Sequence, residues 1–197
     1  MQHKHFLIYK PYKMLSQFIT HDRHQKNKRF LSELFDFPTN SMAVGRLDET
    51  SEGLLIITTD GSLSYKINTT DKTEKEYYAQ LDGQITDDAI EKIKNGLIIS
   101  INGNDYKTTN CQARIIGKDP NLPPTRQKIR DERHGPTSWI SITLTEGKFR
   151  QVRKMTAKVG FPTLRLARVR IGNLKTGSMK SGDVIELTQQ QVNDISL

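Results

Sequence analysis

Apolar residues in this chain come in short runs broken by polar and turn residues, a pattern that predicts strands more often than long helices. Eight runs rich in Ile, Val, Thr and Tyr stand out, at 6–9, 54–58, 76–81, 97–101, 110–116, 138–145, 164–171 and 184–187. Asn102-Gly103 predicts a hairpin turn joining the runs on either side of it. Helical spacing is rarer. Thr86 can cap a helix with Asp87 and Asp88 in its first turn, Ile90 and Ile93 on its apolar face and Gly96 as its stop. A second helix is expected over 148–159, ending at Gly160 and Pro162. Shorter ones are expected over 62–68, after Asp60-Gly61, and over 188–195, with Thr188 as its cap. Together these elements predict an α+β fold with a largely antiparallel sheet.

Charge changes the picture next. The 197 residues hold 30 Lys+Arg against 22 Asp+Glu, a net charge of +8, which points toward a polyanionic partner. Two clusters concentrate it. One is RHQKNKR from Arg23 to Arg29; the other lies in the stretch 117–139, which holds four of the seven prolines together with Arg126, Lys128, Arg130, Arg133 and His134. That stretch reads as an exposed loop, and long loops in compact domains are often functional. Either cluster by itself also suits a plain solvated surface.

Cys111 is the only cysteine, so no disulfide can form within the chain, and a reducing, cytoplasmic location is expected. The apolar start at 6–9 is far shorter than the roughly 7 to 15 residues of a signal-peptide core. Other apolar stretches fall short of the ~20 residues of a membrane helix. The five histidines form no HExxH string and have no cysteine partner, and no phosphate-cradling glycine loop exists. Neither metal nor nucleotide cofactor is therefore expected.

Three segments could hold chemistry. AVGRLDETSEGLLIITTDG, from Ala43, sets Asp48 in a polar loop between apolar runs, with Arg46 two residues before it; an Asx turn of a hairpin and a ligand-facing carboxylate both fit. EGKFRQVRKMTAKVG, from Glu146, puts Arg150 and Arg153 three apart on one expected helix side. Val152, Met155, Thr156 and Val159 form its packing stripe, and Arg153 sits at the edge of that stripe. An arginine there can reach into a cleft, and if it met Asp48 it would hold the carboxylate ionised; an ordinary amphipathic surface helix fits as well. In KTEKEYYAQL, Tyr77 and Tyr78 must face opposite sides of a strand, and spacing does not say which is buried.

GRLDETSEGLLIITTDG, KEY at 75–77 and EGKFRQVRKMTAKVGFPTLRLARVRIGNL together resemble the motif regions of the RsuA-type ribosomal pseudouridine synthases, and the opening YKPYKMLS, with Lys10-Pro11, resembles that family's first strand and turn. The resemblance runs from about Leu7 to Leu187. It implies a pseudouridine synthase fold, a mixed and mainly antiparallel sheet core with peripheral helices and two lobes around an RNA cleft. It implies that Asp48 is the catalytic nucleophile, attacking C1′ or C6 or assisting a glycal route, that Tyr77 stacks on the flipped base and is a candidate general base, and that Arg153 pairs with the aspartate. Arg46 would take the place of the displaced base. Lys75, Arg150, Arg126, Lys128 and Arg130 would bind substrate. The catalytic pattern begins within ten residues of Met1, whereas many relatives first carry an S4-type RNA-binding module. Residues 1–197 are thus expected to form one catalytic domain that supplies its own RNA affinity, as in the large-subunit pseudouridine synthase E branch. The expected partner is ribosomal RNA or a pre-ribosomal particle, bound by a monomer. A metal-dependent nuclease built on Asp48, Glu49 and Glu52, and a non-catalytic RNA-binding protein, are the competing classes.

Overall fold

The computed structural model describes residues 2–70, 73–117, 120–130 and 132–195. Lys118, Asp119 and Asp131 of the proline-rich stretch lie outside the described residues. The chain runs through β1 (His5–Lys10), β2 (Met42–Val44), β3 (Glu52–Thr58), α1 (Gly61–Thr69), β4 (Lys75–Asp82), α2 (Asp87–Lys94), β5 (Ile98–Ile101) and β6 (Asn104–Lys107). It continues through β7 (Gln112–Ile116), β8 (Thr137–Leu144), α3 (Gln151–Lys158), β9 (Thr163–Ile171), β10 (Leu174–Lys175), β11 (Val184–Glu186) and α4 (Gln189–Ile195). These elements form two compact units, one of Met1–Thr73, Pro123–Arg126 and Arg168–Leu197, the other of Glu74–Leu122 and Gln127–Ala167.

In the first unit β1 pairs antiparallel with both β11 and β3, and β2 pairs antiparallel with β3. Strands β1 and β3 are buried along their whole length because both faces are covered. Phe6, Ile8, Leu55 and Ile57 join Leu31 and Met14 on one side, while Leu7, Tyr9, Leu54 and Ile56 join Ile67, Val192 and Ile195 on the other. Two covered faces explain why these strands read as continuous apolar runs instead of alternating ones. Helix α1 starts where the Asp60 carboxylate accepts from the backbone N–H of Ser62 and Leu63, satisfying donors that the first turn leaves open.

In the second unit β8 pairs antiparallel with β4 and β7. Helix α2 is capped by Thr86, whose hydroxyl accepts from the N–H of Ala89. The hairpin at Asn102-Gly103 is present, both residues having positive φ of 51° and 83°. Its second strand, however, is β6, and the run at 110–116 becomes β7 on β8 instead. NDYK hid its strand because it is polar and mostly exposed, with no apolar alternation to read. Helix α3 also departs from expectation, beginning at Gln151. Arg150 precedes it with φ 52° in the left-handed region, so Arg150 and Arg153 do not share a helical face as their spacing had implied.

Candidate active site around Asp48

The polar loop at 45–51 closes the β2–β3 hairpin, and the N–H of Ser51 donates to the carbonyl of Asp48 at 3.0 Å. The residues on both sides of Asp48 are tied to one distant segment. Leu47 exchanges two hydrogen bonds with the Ser16 hydroxyl, at 2.7 and 2.9 Å, and the Glu49 carbonyl accepts from the N–H of Lys13 at 2.9 Å. Asp48 is itself half-buried, and Arg46 two residues back is exposed. The YKPYKMLS string thus clamps the loop that presents the carboxylate, a placement that fixes the group before any ligand arrives.

Lys10 ends β1 with none of its surface exposed. Its ammonium donates to the carbonyls of Pro11 at 2.9 Å and Met14 at 2.7 Å, inside the same segment. Burial pulls its pKa down to about 7 against the opposing charges of Glu52, Asp48 and Glu49, and the Arg168 guanidinium pulls it the same way. Arg168, on β9, is also buried; its Nε donates to the Leu54 carbonyl at 2.7 Å, and its Nη2 meets no hydrogen-bond partner among the described residues. Two cations and three carboxylates therefore gather around the Asp48 loop within the first unit. The sequence reading gave Lys10 no role and named Arg168 only within a strand pattern. A charge at the end of an all-apolar strand was the available signal for Lys10, and Arg168 had none, since strand alternation does not mark a buried arginine.

The lysine makes a stability prediction. The unfolded chain holds this proton up to about pH 10.5 and the folded chain only to about 7, so between those values the unfolded state binds more protons and stability rises with pH. Urea unfolding from pH 7 to 9 should show this rise, up to about 1.4 kcal/mol per pH unit from this group, and Lys10→Met should flatten it. An equal slope in the variant would contradict the burial of the ammonium.

The other expected site residues lie in the second unit. On β4, Tyr77 is buried at 9% exposure while Tyr78 is half-buried, which settles the question that spacing left open. Lys75 donates to the Thr145 carbonyl at 2.8 Å. Arg153 of α3 donates from Nη1 to the Thr163 carbonyl at 3.2 Å. The turn before α3 is held by Glu146, whose carboxylate accepts from the Tyr106 hydroxyl, the Thr109 N–H and the Gln151 amide. Burial pushes that carboxylate up, but these donors outweigh it and hold the pKa below the usual range. Arg130 is engaged within its own unit, donating to the Asp82 carboxylate and to the carbonyls of Gly135 at 2.7 Å and Pro136 at 3.0 Å. Its charge therefore organises the loop, whereas Lys128 is exposed. Arg126 belongs to the first unit, so the basic stretch divides between the two.

Among the described residues, no group of three His, Cys, Asp or Glu side chains could hold a metal ion. Burial, with Glu146 nearby, raises the Cys111 thiol to about 11, which removes it as a thiolate nucleophile near neutral pH. None of the described helices is long and apolar enough to cross a membrane.

Known proteins resemble this chain in sequence and in fold. A family model described as RNA pseudouridylate synthase matches residues 4–158. A protein of Xanthomonas axonopodis pv. citri named ribosomal large subunit pseudouridine synthase E is 40% identical over 174 residues, 88% of each chain. One of the same name from Vibrio parahaemolyticus is 35% identical over 190 residues, 95% of this chain and 75% of that one. A crystal structure of a pseudouridylate synthase superposes with a TM-score of 0.78 at 22% identity, covering 98% of this chain and 74% of the other, and so shares the fold.

Proposed function

The chain belongs to the RNA pseudouridylate synthase family, and on that premise we propose that it isomerises a specific uridine of large-subunit ribosomal RNA, with Asp48 as the nucleophile. The observation that carries this reading is the clamp on the Asp48 loop: the backbone on both flanks of a half-buried aspartate is hydrogen-bonded to one segment, and the buried Lys10 feels its charge. The relatives named for the large ribosomal subunit support the choice of RNA.

The reaction breaks the N1–C1′ bond of uridine, turns the base and joins C5 to C1′; the proton lost from C5 is balanced by one gained at N1. Atoms and electrons balance without any co-reactant. A base inside folded RNA must first leave its stack, at roughly a few kcal/mol, which stacking and phosphate contacts offset. Arg46, exposed beside Asp48, takes the vacated place in the RNA. Tyr77 and Arg153 complete the catalytic set, the tyrosine against the base and the arginine favouring the ionised aspartate. Lys75, Arg150, Arg126 and Lys128 contact the RNA backbone. With 1–197 acting as one catalytic domain, these cations supply its attraction to RNA, and that term should weaken with salt.

The test is a map of pseudouridines in ribosomal RNA from cells with and without the protein, repeated with purified protein on transcripts. Loss of a single large-subunit site in the deleted strain, restored in vitro by the protein alone, is the expected result. An unchanged map in both subunits would overturn the reading.

A further inference from the structure

The first unit contains a cavity of about 190 Å³, of whose lining the reading above uses only Arg126. Arg29, from the first basic cluster, and Arg126, from the second, both line it, although 97 positions separate them in sequence. Tyr12 and Pro11 form part of its wall, and Glu52 lines it as well. The cavity therefore adjoins the Asp48 neighbourhood, since Pro11 accepts from Lys10 and Glu52 is among the charges acting on that lysine.

A water's share of liquid volume is ~30 Å³, so the space equals about six waters. That is enough for a phosphate and the edge of a sugar but well below the ~300 Å³ at which sites for larger ligands begin. Two guanidiniums are the donors of choice for a phosphate. Arg29 is paired with Glu33 at 2.9 Å, but both partners are about 40% exposed, and an exposed pair of this kind contributes little and yields to a better anion. The Glu52 carboxylate disfavours a bare anion and favours a group that brings a hydroxyl donor with its phosphate. Ribose-phosphate has both, because the 2′-hydroxyl can donate. Tyr12 offers an apolar wall to the sugar.

We propose that this cavity is a subsite for the ribose-phosphate of a nucleotide flanking the target uridine, with Arg29 and Arg126 sharing one phosphate. The proposal rests on the reading of the protein as an RNA enzyme, but its test does not require turnover. The full chain is titrated with single-stranded oligouridylate and with oligodeoxyuridylate of equal length at fixed salt. Wild type should favour the ribo form several-fold. Arg29→Ala and Arg126→Ala should each weaken ribo binding about three- to tenfold, and the double variant by less than the product of the two, because residues that share a partner are not additive. Arg126→Lys, which keeps the charge, should recover most of the loss, and melting curves verify that each variant is folded. A product of independent effects, no effect of either single variant, or equal affinity for the two oligomers would overturn the subsite. Failure of the wild type to form pseudouridine in rRNA transcripts would overturn only the catalytic reading, since binding is measured separately.

Discussion

Asp48→Asn is expected to lower pseudouridine formation by roughly 10³-fold or more under single-turnover conditions, while the affinity for the RNA substrate changes little. The substitution keeps the size of the side chain and removes its charge. The loop should keep its shape, because it is clamped through backbone and hydroxyl groups at Ser16, Lys13, Leu47 and Glu49, which the substitution leaves in place. One consequence is measurable apart from catalysis. The Asp48 charge is among those that raise the pKa of Lys10, so its removal should move that lysine further below its ordinary value and shift the pH range over which stability rises toward lower pH. Activity near that of wild type would remove Asp48 from the chemistry. Full loss of activity with an unchanged lysine titration would mean that the carboxylate and the ammonium do not share a neighbourhood.

Gly53→Ala should cause the largest loss of stability from a single methyl group. Gly53 lies inside β3 with φ +106°, and a Cβ there would come within 2.2 Å of the Arg168 carbonyl oxygen and 2.6 Å of its nitrogen. The backbone conformation alone costs about 1–3 kcal/mol for an L side chain, and forcing two backbones apart costs about 1–3 kcal/mol more. The expected total, roughly 4 kcal/mol, corresponds to a fall in Tm of about 10 °C for a chain of this size. Activity should fall with it, since Gly53 pairs with Lys10 across β1 and β3 and touches the backbone of Arg168. Gly61→Ala is the control: no atom lies within 4 Å of its added Cβ, and the position opens a helix, so stability should hold or rise by a few tenths of a kcal/mol. Denaturant curves of the two variants compare the sites directly, and equal stabilities would refute the close approach at Gly53. The backbone of Arg168 therefore occupies the space that a side chain at position 53 would need.

Local chemistry was legible wherever it is decided by a few neighbouring residues. Thr86 caps a helix because its side chain bonds to an N–H group three residues on, the Asp60-Gly61 turn leads into α1, and Asn102-Gly103 turns because both tolerate positive φ. The packing stripe of α3 was readable for the same reason, with Val152, Met155 and Thr156 buried at helical spacing. Arg150 was misread because a left-handed residue just before a helix shifts the phase of what precedes it, and KFRQ gives no sign of that turn. NDYK was missed because a short, exposed strand has no burial pattern to display.

The sequence by itself determined the α+β class, most element positions, the loop that presents Asp48 and, through its motif strings, the family. Only the tertiary structure decided what surrounds that loop. The segment that clamps it starts more than thirty positions earlier in the chain, and Arg168 arrives from 120 positions later. It also divided the basic stretch, tying Arg130 into its own unit while Arg126 joins Arg29 at one cavity. The physical reason is that hydrogen bonds and charge interactions act over a few ångströms of space, a distance that folding sets and spacing along the chain does not record.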